Sequence, residues 1–561
     1  MDIGELLTYK PPQAIKRPAE VEDGEDDEDE KQLKMRRIAR AKANQMTRQT
    51  SPTSSIHSVF DHISEEERQE ILKFVETEEA EGEVLDETGI KRIILNFEKR
   101  SLKNREMRIK FPDSPDKFME SEIELHEILQ EMRVLSTAPD YYPLLVKLRI
   151  IPSLLELLSH DNTDITVAGI ELLQELTDVD ILHESEVGAE ALIDSLLEQQ
   201  VIALLVQNLD RLDESVKEES DGVHNSLSII ENLTELRPEI CNEASKQGLL
   251  QWLLRRLKVK APFDANKLYA SELLSIFLQD NNGNRLALGD LDGIDTLLQQ
   301  LAFYKRHDPA TAEEHELMEN LFNSLCSALM VMPNRDRFLR GEGLQLMNLM
   351  LREKKTSRNG SLKVLDYAMS GPHGKDNCNK FVDILGLRTI FPLFMKTPKK
   401  NRRKVFSTEE HEEHVSSIIA SMLRNCRGSQ RQRLISKFTE NDHEKVDRLM
   451  ELHFKYLEKV ETLDSKLENG NSNEEEDGLY LKRLEGGLFT LQLIDYIILE
   501  VCAAGPTTIK QRVMQILNLR GASLKTVRHV MREYAGNLGE EGDQEWRDNE
   551  QQHILHLVDK F

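Results

Sequence analysis

The chain has 561 residues and a formal net charge of −27 at pH 7. That charge argues against a body that grips DNA or RNA in general, because such a surface needs a positive field to displace condensed counterions; basic peptides suit an acidic surface better. The five cysteines are far apart and include no CxxC pair, which predicts free thiols in a reducing compartment.

Residues 1–80 are predicted to form a disordered tail. Between Glu20 and Glu30, nine of eleven residues are acidic, a composition that buries too little apolar surface to offset chain entropy. The acidic opening of the chain, without a following apolar segment, predicts no secretory signal. The Ser51-Pro52 pair is a weak candidate for phosphorylation by a proline-directed kinase.

Two basic clusters flank this acidic block. Two such clusters on an extended segment can occupy two acidic pockets of an import receptor at once. They therefore predict a bipartite nuclear localisation signal, an import receptor as a partner and a location in the nucleus. Its residues are Lys16, Arg17, Lys34, Arg36 and Arg37. Because the gap is long and acidic, a one-part signal at Lys34–Arg37 and a merely solvated charge run stay open as alternatives.

Residues 81–140 are predicted to form N-terminal capping helices. One helix starts at Asp86 and carries Ile90, Ile94 and Phe97 on one side, and a second follows the break at Phe111–Pro115. The bare end of a stack of helical repeats would expose apolar surface, so we expect these helices to cover it.

Residues 141–426 are predicted to form helical repeats. The stretch Ile150–Asp178 has apolar residues at helical spacing in two segments, and each apolar stripe is too wide for a single partner. The run of aliphatic residues at the start of this stretch, which we call the aliphatic opening, recurs at steps of 43–50 residues. Its first residues are Ile151, Val201, Leu249, Ile294, Leu344 and Leu387. A period of roughly 40–47 residues is typical of armadillo and HEAT repeats. The fold class is therefore an all-α, right-handed armadillo/HEAT-like solenoid, with a non-repetitive helical bundle as the alternative.

Glycine precedes the aliphatic opening in four of these units. We expect this glycine to break the helix and let the chain turn. A basic loop, Lys396–Lys404, interrupts the last units. A solvated loop is favoured over an RNA contact or a second nuclear signal, so direct RNA contact is not expected.

After Arg427 the period is predicted to be lost. Residues 427–468 should form a long helix that continues the solenoid, although apolar residues at 3-4 spacing from Val446 leave a dimeric coiled coil open. An acidic linker at 469–478 and a helical cap at 479–561 are expected to follow. The apolar run Leu488–Ala504 contains Gln492, Asp495 and Glu500, which predicts a buried helix rather than a membrane span.

No catalytic residues, cofactor or metal site are predicted. The segment Gly371–Lys375 lacks the spacing of a phosphate-binding loop, and His373 with Cys378 is too small a set for zinc. His411 and His414, three residues apart, are predicted to be surface histidines. These features predict a protein that is not an enzyme.

Several segments carry a family resemblance. The motifs DNTDIT at 161–166, SDGVHN at 220–225, PFDANKLY at 262–269 and FTENDHEKVDRLMELHFKYL at 438–457 resemble those of the beta-catenin-like proteins, an armadillo-repeat family. The resemblance is close over residues 97–457 and 484–549 and loose over 20–90 and 460–480. It implies a nuclear, spliceosome-associated scaffold in pre-mRNA splicing. It also implies as partners a Myb-like component of the nineteen complex, another pre-mRNA processing factor and activation-induced deaminase.

The armadillo resemblance also implies a groove lined by the last helix of each repeat. An asparagine there can donate to and accept from an extended peptide backbone, and acidic neighbours could pair with Lys or Arg of a basic segment. At the places where import receptors carry tryptophan this chain has other residues, which puts lysine slots of that kind in doubt. The candidate groove residues are Glu171, Glu175, Glu231, Asn232, Glu235, Glu316, Glu319, Asn320 and Asn425.

Two interpretations remain open at this stage. The first is a nuclear adaptor that binds basic, localisation-signal-like segments of splicing proteins and has no membrane partner. The second is a nuclear transport receptor for basic cargo, in which Lys34–Arg37 would inhibit the groove. The sequence leaves homodimerisation undecided.

Overall fold

A computed structural model describes residues 86–260, 262–397, 407–469, 476–539 and 543–561. The chain divides into two compact units, residues 1–9 with 93–561 and residues 10–92. In the second unit the described residues, 86–92, hold the start of α1 (Glu87–Lys110). The first unit holds the rest of α1 and the other helices that the structure describes.

The first unit begins with single helices and short helical turns. Asn104 on α1 donates from Nδ2 to Ser121 Oγ at 3.0 Å in a buried contact, which ties α1 to α2. Helix α2 packs in turn on α5. The helices of this part are α2 (Met119–Met132), α3 (Tyr142–Lys147), α4 (Ile150–Glu156), α5 (Thr163–Leu176), α6 (Val179–Leu182), α7 (Glu186–Glu198), α8 (Val201–Leu209) and α9 (Lys217–Leu236).

From Ile240 onward the helices come in threes. Each set has a short first helix, a second helix that starts with the recurrent aliphatic opening, and a third helix. The sets are α10 (Ile240–Lys246), α11 (Leu249–Lys258) and α12 (Ala265–Leu278); α13 (Asn282–Asp290), α14 (Gly293–Leu301) and α15 (Ala312–Ala328); α16 (Met332–Arg340), α17 (Gly343–Glu353) and α18 (Ser357–Met369); and α19 (Lys375–Asp383), α20 (Leu387–Met395) and α21 (Thr408–Asn425).

Corresponding helices of neighbouring sets pack against each other. First helices contact first helices and third helices contact third helices. The longest of these runs is the third-helix row, which consists of α2, α5, α9, α12, α15, α18 and α21 and continues into α25. Each apolar face is thus buried by the next copy, and the predicted all-α, armadillo-like solenoid is confirmed.

The repeat continues past Arg427, where the sequence predicts that it is lost. Helix α22 (Gly428–Ser436) packs on α19, α23 (Glu444–Asn469) on α20, and α25 (Phe489–Ala504) on α21. The period is hidden in the sequence because α23 is long and because residues 470–475, α24 (Glu476–Arg483) and a π-helical turn precede α25. The long helix therefore starts at Glu444 rather than at residue 427.

The sequence predicts that the glycine before a second helix lets the chain turn, but in most of these units the left-handed residue is the one before the glycine. The residue before the glycine, Asp292 or Glu342, takes the left-handed conformation with φ of 56° and 59°. The glycine itself makes room for a ring or branched side chain of the first helix. A Cβ on Gly343 would lie 2.2 Å from the ring of Phe338. Only Gly248, with φ of 100°, takes the left-handed conformation itself among these four.

Helix α25 lies in the interior of the last set. By length and composition the segment Gly478–Ala504 could cross a membrane, but 83% of its most apolar window is buried within the protein. The sequence prediction of a buried helix is confirmed. The long helix α23 packs on it, and His453 on α23 bonds Asp495 on α25 at 2.5 Å, both almost fully buried. The seam residues of α23 therefore face the core, which favours the packed helix over a coiled coil.

Three more helices complete the chain. They are α26 (Thr507–Leu519), α27 (Leu524–Gly536) and α28 (Gln544–Lys560). Helices α27 and α28 pack on each other and both pack on α25. At this end of the third-helix row, α27 and α28 therefore cover part of α25.

Candidate functional site

The nine predicted groove residues all lie on the third-helix row. Glu171 and Glu175 are on α5, Glu231, Asn232 and Glu235 on α9, Glu316, Glu319 and Asn320 on α15, and Asn425 on α21. The structure therefore brings them onto one continuous row of packed helices. Their environments differ, and the differences decide which of them can meet a partner.

The two glutamates of α5 are already paired within the chain. Arg133, just after α2, binds Glu175 directly and lies 3.5 Å from Glu171. The hydrogen bond to Glu175 raises the pKa of the Arg133 guanidinium above its ordinary value. Glu171 and Glu175 therefore offer little negative charge to an external cation.

The carboxylate of Glu231 is held by a tyrosine from the next helix of the row. The Tyr269 hydroxyl on α12 donates to Glu231 Oε2 at 2.5 Å. The same ring stacks against His224 of α9, with ring centroids 4.8 Å apart. Next to Glu231, Asn232 is half-buried and Glu235 is exposed. The Tyr269 hydroxyl thus fixes the position of the Glu231 carboxylate between two helices of the row.

On α15, Glu319 and Asn320 face neighbouring helices in different ways. Asn320 donates from Nδ2 to Ser271 Oγ of α12 at 3.2 Å, so its amide ties two third helices together. Glu319 is half-buried, and this burial raises the pKa of its carboxyl group, against the opposing charges of His315 and Lys363. Glu316 is also half-buried. A carboxylate with a raised pKa is short of compensating positive charge.

Asn425 does not face a groove. Its side chain is buried, and Nδ2 donates to the Gly371 carbonyl at 2.8 Å and to the Met369 carbonyl at 3.4 Å. These bonds provide hydrogen-bond donors for backbone carbonyls at the end of α18 and in the loop between α18 and α19. The prediction that Asn425 lines the groove is therefore wrong. An asparagine at this helical spacing can bind either a peptide in the groove or a loop of the same chain, and spacing in the sequence does not distinguish these two roles.

The structure adds two carboxylates that sequence reasoning missed. Asp366 on α18 accepts from Ser417 Oγ at 2.5 Å and bonds His414 Nδ1 at 2.8 Å, both on α21. Glu413 on α21 accepts from Thr490 at 3.0 Å, and burial raises its pKa. The run Glu412–His414 near the start of α21 was the only sequence signal for this cluster.

His411 and His414 are not surface histidines. His411 is 2% exposed and bonds the Leu393 carbonyl at 3.3 Å, and burial lowers its pKa. His414 is only 14% exposed. Both lie on faces of α21 that pack against other elements, which a spacing of three residues cannot reveal.

Cations are few along the middle of the row. Lys363 on α18 donates to Asn323 of α15 at 3.0 Å. No Lys or Arg among the described residues lies within ion-pair distance of Glu319 or Glu413. We call the stretch from α9 to α21 with Glu231, Glu319, Asp366 and Glu413 the acidic stretch.

At the C-terminal end the character of the row reverses. Arg424, near the end of α21, donates to Glu550 of α28 at 2.6 Å, and its guanidinium lies 4.7 Å from the centre of the Tyr496 ring. Arg431 on α22 donates to Glu500 of α25 at 2.5 Å. Here the carboxylates of Glu500 and Glu550 are paired with arginines, and α28 takes part through Glu550.

The predicted localisation residues Lys16, Arg17, Lys34, Arg36 and Arg37 lie outside the described residues, as do residues 398–404 of the basic loop and 470–475 of the linker. In the part of the chain that the structure describes, no group of three His, Cys, Asp or Glu residues could hold a metal ion. The five cysteines are free, and four of them are buried.

Comparisons with known proteins give the family context. A family model described as "Catenin-beta-like, Arm-motif containing nuclear" matches residues 69–532. Beta-catenin-like protein 1 of Homo sapiens is 63% identical over 487 residues, which cover 85% of this chain and 86% of the relative. The Beta-catenin-like protein 1 homolog of Schizosaccharomyces pombe is 33% identical over 479 residues, 84% of this chain and 83% of the relative. The crystal structure of an engineered protein aligns with a TM-score of 0.43 and 13% identity, over 83% of this chain and 99% of that chain.

Proposed function

The chain belongs to the family of catenin-beta-like, Arm-motif containing nuclear proteins, and from this premise we propose that it is a non-enzymatic scaffold that binds basic segments of partner proteins along its acidic stretch. We place this activity in the nucleus, within the splicing machinery. The partners we expect are a Myb-like component of the nineteen complex, another pre-mRNA processing factor and activation-induced deaminase.

One observation carries the proposal: Glu319 and Glu413 are half-buried carboxylates whose pKa values are raised by burial. Each pays part of the cost of desolvation without a lysine or arginine partner among the described residues. A Lys or Arg from another protein would supply the missing charge and form charge-assisted hydrogen bonds. Asp366, on the helix between them, adds a third negative group.

The row spacing indicates how such a ligand would be built. Glu319 and Glu413 lie on α15 and α21, with α18 between them. Packed helices are 8–10 Å apart, so two steps along the row span roughly 20 Å. An extended chain advances about 3.3 Å per residue, which places two contacting cations about six residues apart. Segments with two basic residues at that separation should therefore bind best.

A peptide titration tests the acidic stretch directly. The probe is a fluorescein-labelled 12-residue peptide with two arginines six positions apart, and the readout is fluorescence anisotropy. The double variant Glu319→Gln with Glu413→Gln should bind about tenfold more weakly, because two charge-assisted contacts are lost. A peptide with its arginines two positions apart should bind more weakly to the native chain.

The matched control is Glu190→Gln with Glu198→Gln. Both residues are exposed on α7, outside the row, and the change in net charge is the same. If this control weakened binding as much as the double variant on the row, general electrostatic attraction would explain the binding. Unchanged affinity of the Glu319 and Glu413 variant would reject the acidic stretch as the binding surface.

Assignment to the splicing machinery needs a cellular test. The tagged full chain is used to pull down proteins from nuclear extract, with and without ribonuclease treatment. We expect splicing proteins to remain bound after ribonuclease treatment and to be lost with the Glu319 and Glu413 variant. Loss of all partners on ribonuclease treatment would mean that RNA bridges the assembly, which contradicts direct protein binding.

Substitutions in the N-terminal tail test the proposed location in the nucleus. Substituting Lys34, Arg36 and Arg37 with alanine in a fluorescent fusion of the full chain should shift it to the cytoplasm, and additional substitution of Lys16 and Arg17 separates a two-part from a one-part signal. A fusion that remains nuclear after all five changes would contradict import through this tail.

A further inference from the structure

A cavity lies at the C-terminal end of the third-helix row, away from the acidic stretch. Its volume is about 430 Å³, and it is bounded by the end of α21, the start of α22, α25 and α28. Its walls carry Arg427, Arg431, Tyr496, Trp546 and His553. A pocket of this size holds one or two side chains of a ligand.

Two of the arginines at the cavity are already neutralised. Arg424 is paired with Glu550, and Arg431 with Glu500, at 2.6 and 2.5 Å. The Tyr496 hydroxyl also donates a hydrogen bond to Glu500 at 2.9 Å. The chain's own side chains therefore already form guanidinium–carboxylate pairs at this place.

Arg427 is different. It caps the end of α21 by donating from Nη1 to the carbonyls of Arg424 at 2.6 Å and Cys426 at 2.9 Å. Carbonyl oxygens are neutral, and no carboxylate among the described residues lies within ion-pair distance of this guanidinium. The positive charge of Arg427 is therefore uncompensated at the mouth of the cavity.

The opposite wall adds a histidine and an aromatic ring. His553 on α28 bonds Glu500 at 2.7 Å, and this bond raises the pKa of His553. Trp546 is half-buried one turn into α28, and its backbone N–H donates to the cap residue Asp543 at 2.8 Å. The fixed start of α28 thus holds the Trp546 indole at the cavity.

We propose that this cavity binds an acidic peptide segment of a partner protein, in which a carboxylate or phosphoserine side chain pairs with Arg427 and an adjacent apolar side chain contacts Trp546. A guanidinium recognises either anion with parallel hydrogen bonds. A protein segment is favoured over nucleic acid because only Arg427, among the arginines that line the cavity, has no carboxylate partner in the described part of the chain, whereas a polynucleotide binds through several phosphate contacts. The scaffold would then hold two kinds of segment, a basic one on the acidic stretch and an acidic one here.

Trp546 provides its own readout. The chain has two tryptophans, and Trp252 is 5% exposed. In a full-length Trp252→Phe background, the fluorescence of Trp546 is followed during titration with the acetylated, amidated hexapeptide Asp-Glu-Glu-Phe-Asp-Glu. In a second peptide, phosphoserine replaces the glutamate next to the phenylalanine. A neutral peptide, Asn-Gln-Gln-Phe-Asn-Gln, and oligouridylate serve as the other ligands.

Arg427→Gln should weaken binding of the acidic peptide about tenfold, as expected for loss of one charge-assisted bidentate contact. Arg433→Gln is the matched control, because Arg433 is exposed on α22, six residues after Arg427, and does not line the cavity. Arg427→Lys should keep part of the affinity. Circular dichroism must show unchanged helicity in all three variants, and binding of the basic peptide to the acidic stretch should remain as in the native chain.

The outcomes separate the possibilities. Saturable quenching by the acidic or the phosphorylated peptide, reduced by Arg427→Gln and not by Arg433→Gln, supports the proposal and identifies the preferred anion. Equal binding of the neutral peptide would overturn it, since the charge would then play no part. Saturable quenching by oligouridylate alone would assign the cavity to nucleic acid and would also overturn it, as would the absence of quenching by every ligand.

Discussion

The acidic stretch and the C-terminal end of the third-helix row use similar residues in opposite ways. Along the acidic stretch, Glu231, Asp366 and Glu413 accept hydrogen bonds from hydroxyl groups of neighbouring helices. At the C-terminal end, Glu500 and Glu550 are buried and bound by arginines. The same helical framework therefore joins carboxylates to hydroxyl groups in one region and to arginines in the other.

The difference teaches that the partner of each carboxylate, rather than the number of carboxylates, decides what the row offers. The charge of a buried glutamate that is paired with an arginine is neutralised within the protein, so this glutamate does not attract a ligand. Glu413 has no lysine or arginine partner among the described residues, so a cation of a ligand can supply the missing charge. The predictions below change one region or the other, starting with the largest expected effect.

Removing Arg424 should disrupt the C-terminal end most. Arg424→Met leaves the carboxylate of Glu550, 9% exposed, without its cation. Breaking one partner of a buried pair costs about 3 kcal/mol or more. The expected result is faster amide hydrogen exchange in α28 and a lower urea midpoint of unfolding.

The double variant Arg424→Met with Glu550→Leu serves as the control for this prediction. It removes both charges and should recover most of the lost stability. If the single variant were as stable as the native chain, the pair would not hold α28 in place, and the contrast between the two regions would lose its energetic basis.

Two glycine substitutions compare a closely packed position at the start of α17 with an open one at the end of α27. Gly343 lies beneath the Phe338 ring, and an added Cβ would be 2.2 Å from it. Gly343→Ala should therefore cost about 2 kcal/mol through overpacking. Gly536→Ala, at the end of α27 with no atom within 4 Å of its Cβ, should be neutral or slightly stabilising. Thermal unfolding of both variants checks the difference, and equal losses would reject close packing as the reason for Gly343.

Acidification should affect the two regions with opposite sign. Burial alone would raise the pKa of Glu500, but the His553 hydrogen bond and the Arg431 charge hold this pKa below 4.5. Its stabilisation is therefore present above pH 4.5 and is lost as the pH falls through the lowered pKa. Glu319 and Glu413 have raised pKa values, so the folded state favours their protonated forms, and acidification from pH 7 should stabilise their surroundings.

Hydrogen exchange at several pH values, corrected for intrinsic rates, measures this difference. Helices α25 and α28 should lose protection below pH 4.5, whereas α15 and the start of α21 should gain protection between pH 7 and pH 5. Glu500→Gln should remove the acid sensitivity of α28 that depends on this carboxylate. The same pH response in both regions would contradict the opposite pairing of their carboxylates.

The smallest expected effect comes from a substitution that adds Glu171 and Glu175 to the carboxylates a ligand can reach. Arg133→Gln frees Glu171 and Glu175 and should strengthen binding of the basic peptide by about two- to threefold, since partly exposed ion pairs are worth roughly 0.5 kcal/mol. Arg352→Gln, exposed on α17 and away from the row, removes the same charge as a control. An equal gain in the control would assign the effect to net charge alone.

Much of the helical framework follows from local pattern. The sequence predicted a helix from Asp86 and a second one after the break at Phe111–Pro115, and the structure has them at Glu87–Lys110 and Met119–Met132. It also predicted the recurrent opening of the second helices. These features depend on apolar spacing and on capping residues within a few positions, which the chain carries locally.

The site was less predictable for a physical reason. The spacing rule placed Asn232, Asn320 and Asn425 together, but Asn425 is buried against a loop. It missed Glu413 because a run of alternating acids and histidines gives no sign of which side faces a neighbour. The continued repeat after Arg427 was also hidden, because the insertion before α25 breaks the period while the packing persists.

By itself, the sequence determined an all-helical chain of recurring units, the positions of most helices and an excess of negative charge. Tertiary structure alone decided which carboxylates keep that charge. Glu550 meets Arg424 across 126 positions of sequence, and Arg133 meets Glu175 across 42. The strength of a charge depends on its distance to other charges and on its burial, and both are set by the packing of distant helices rather than by local sequence.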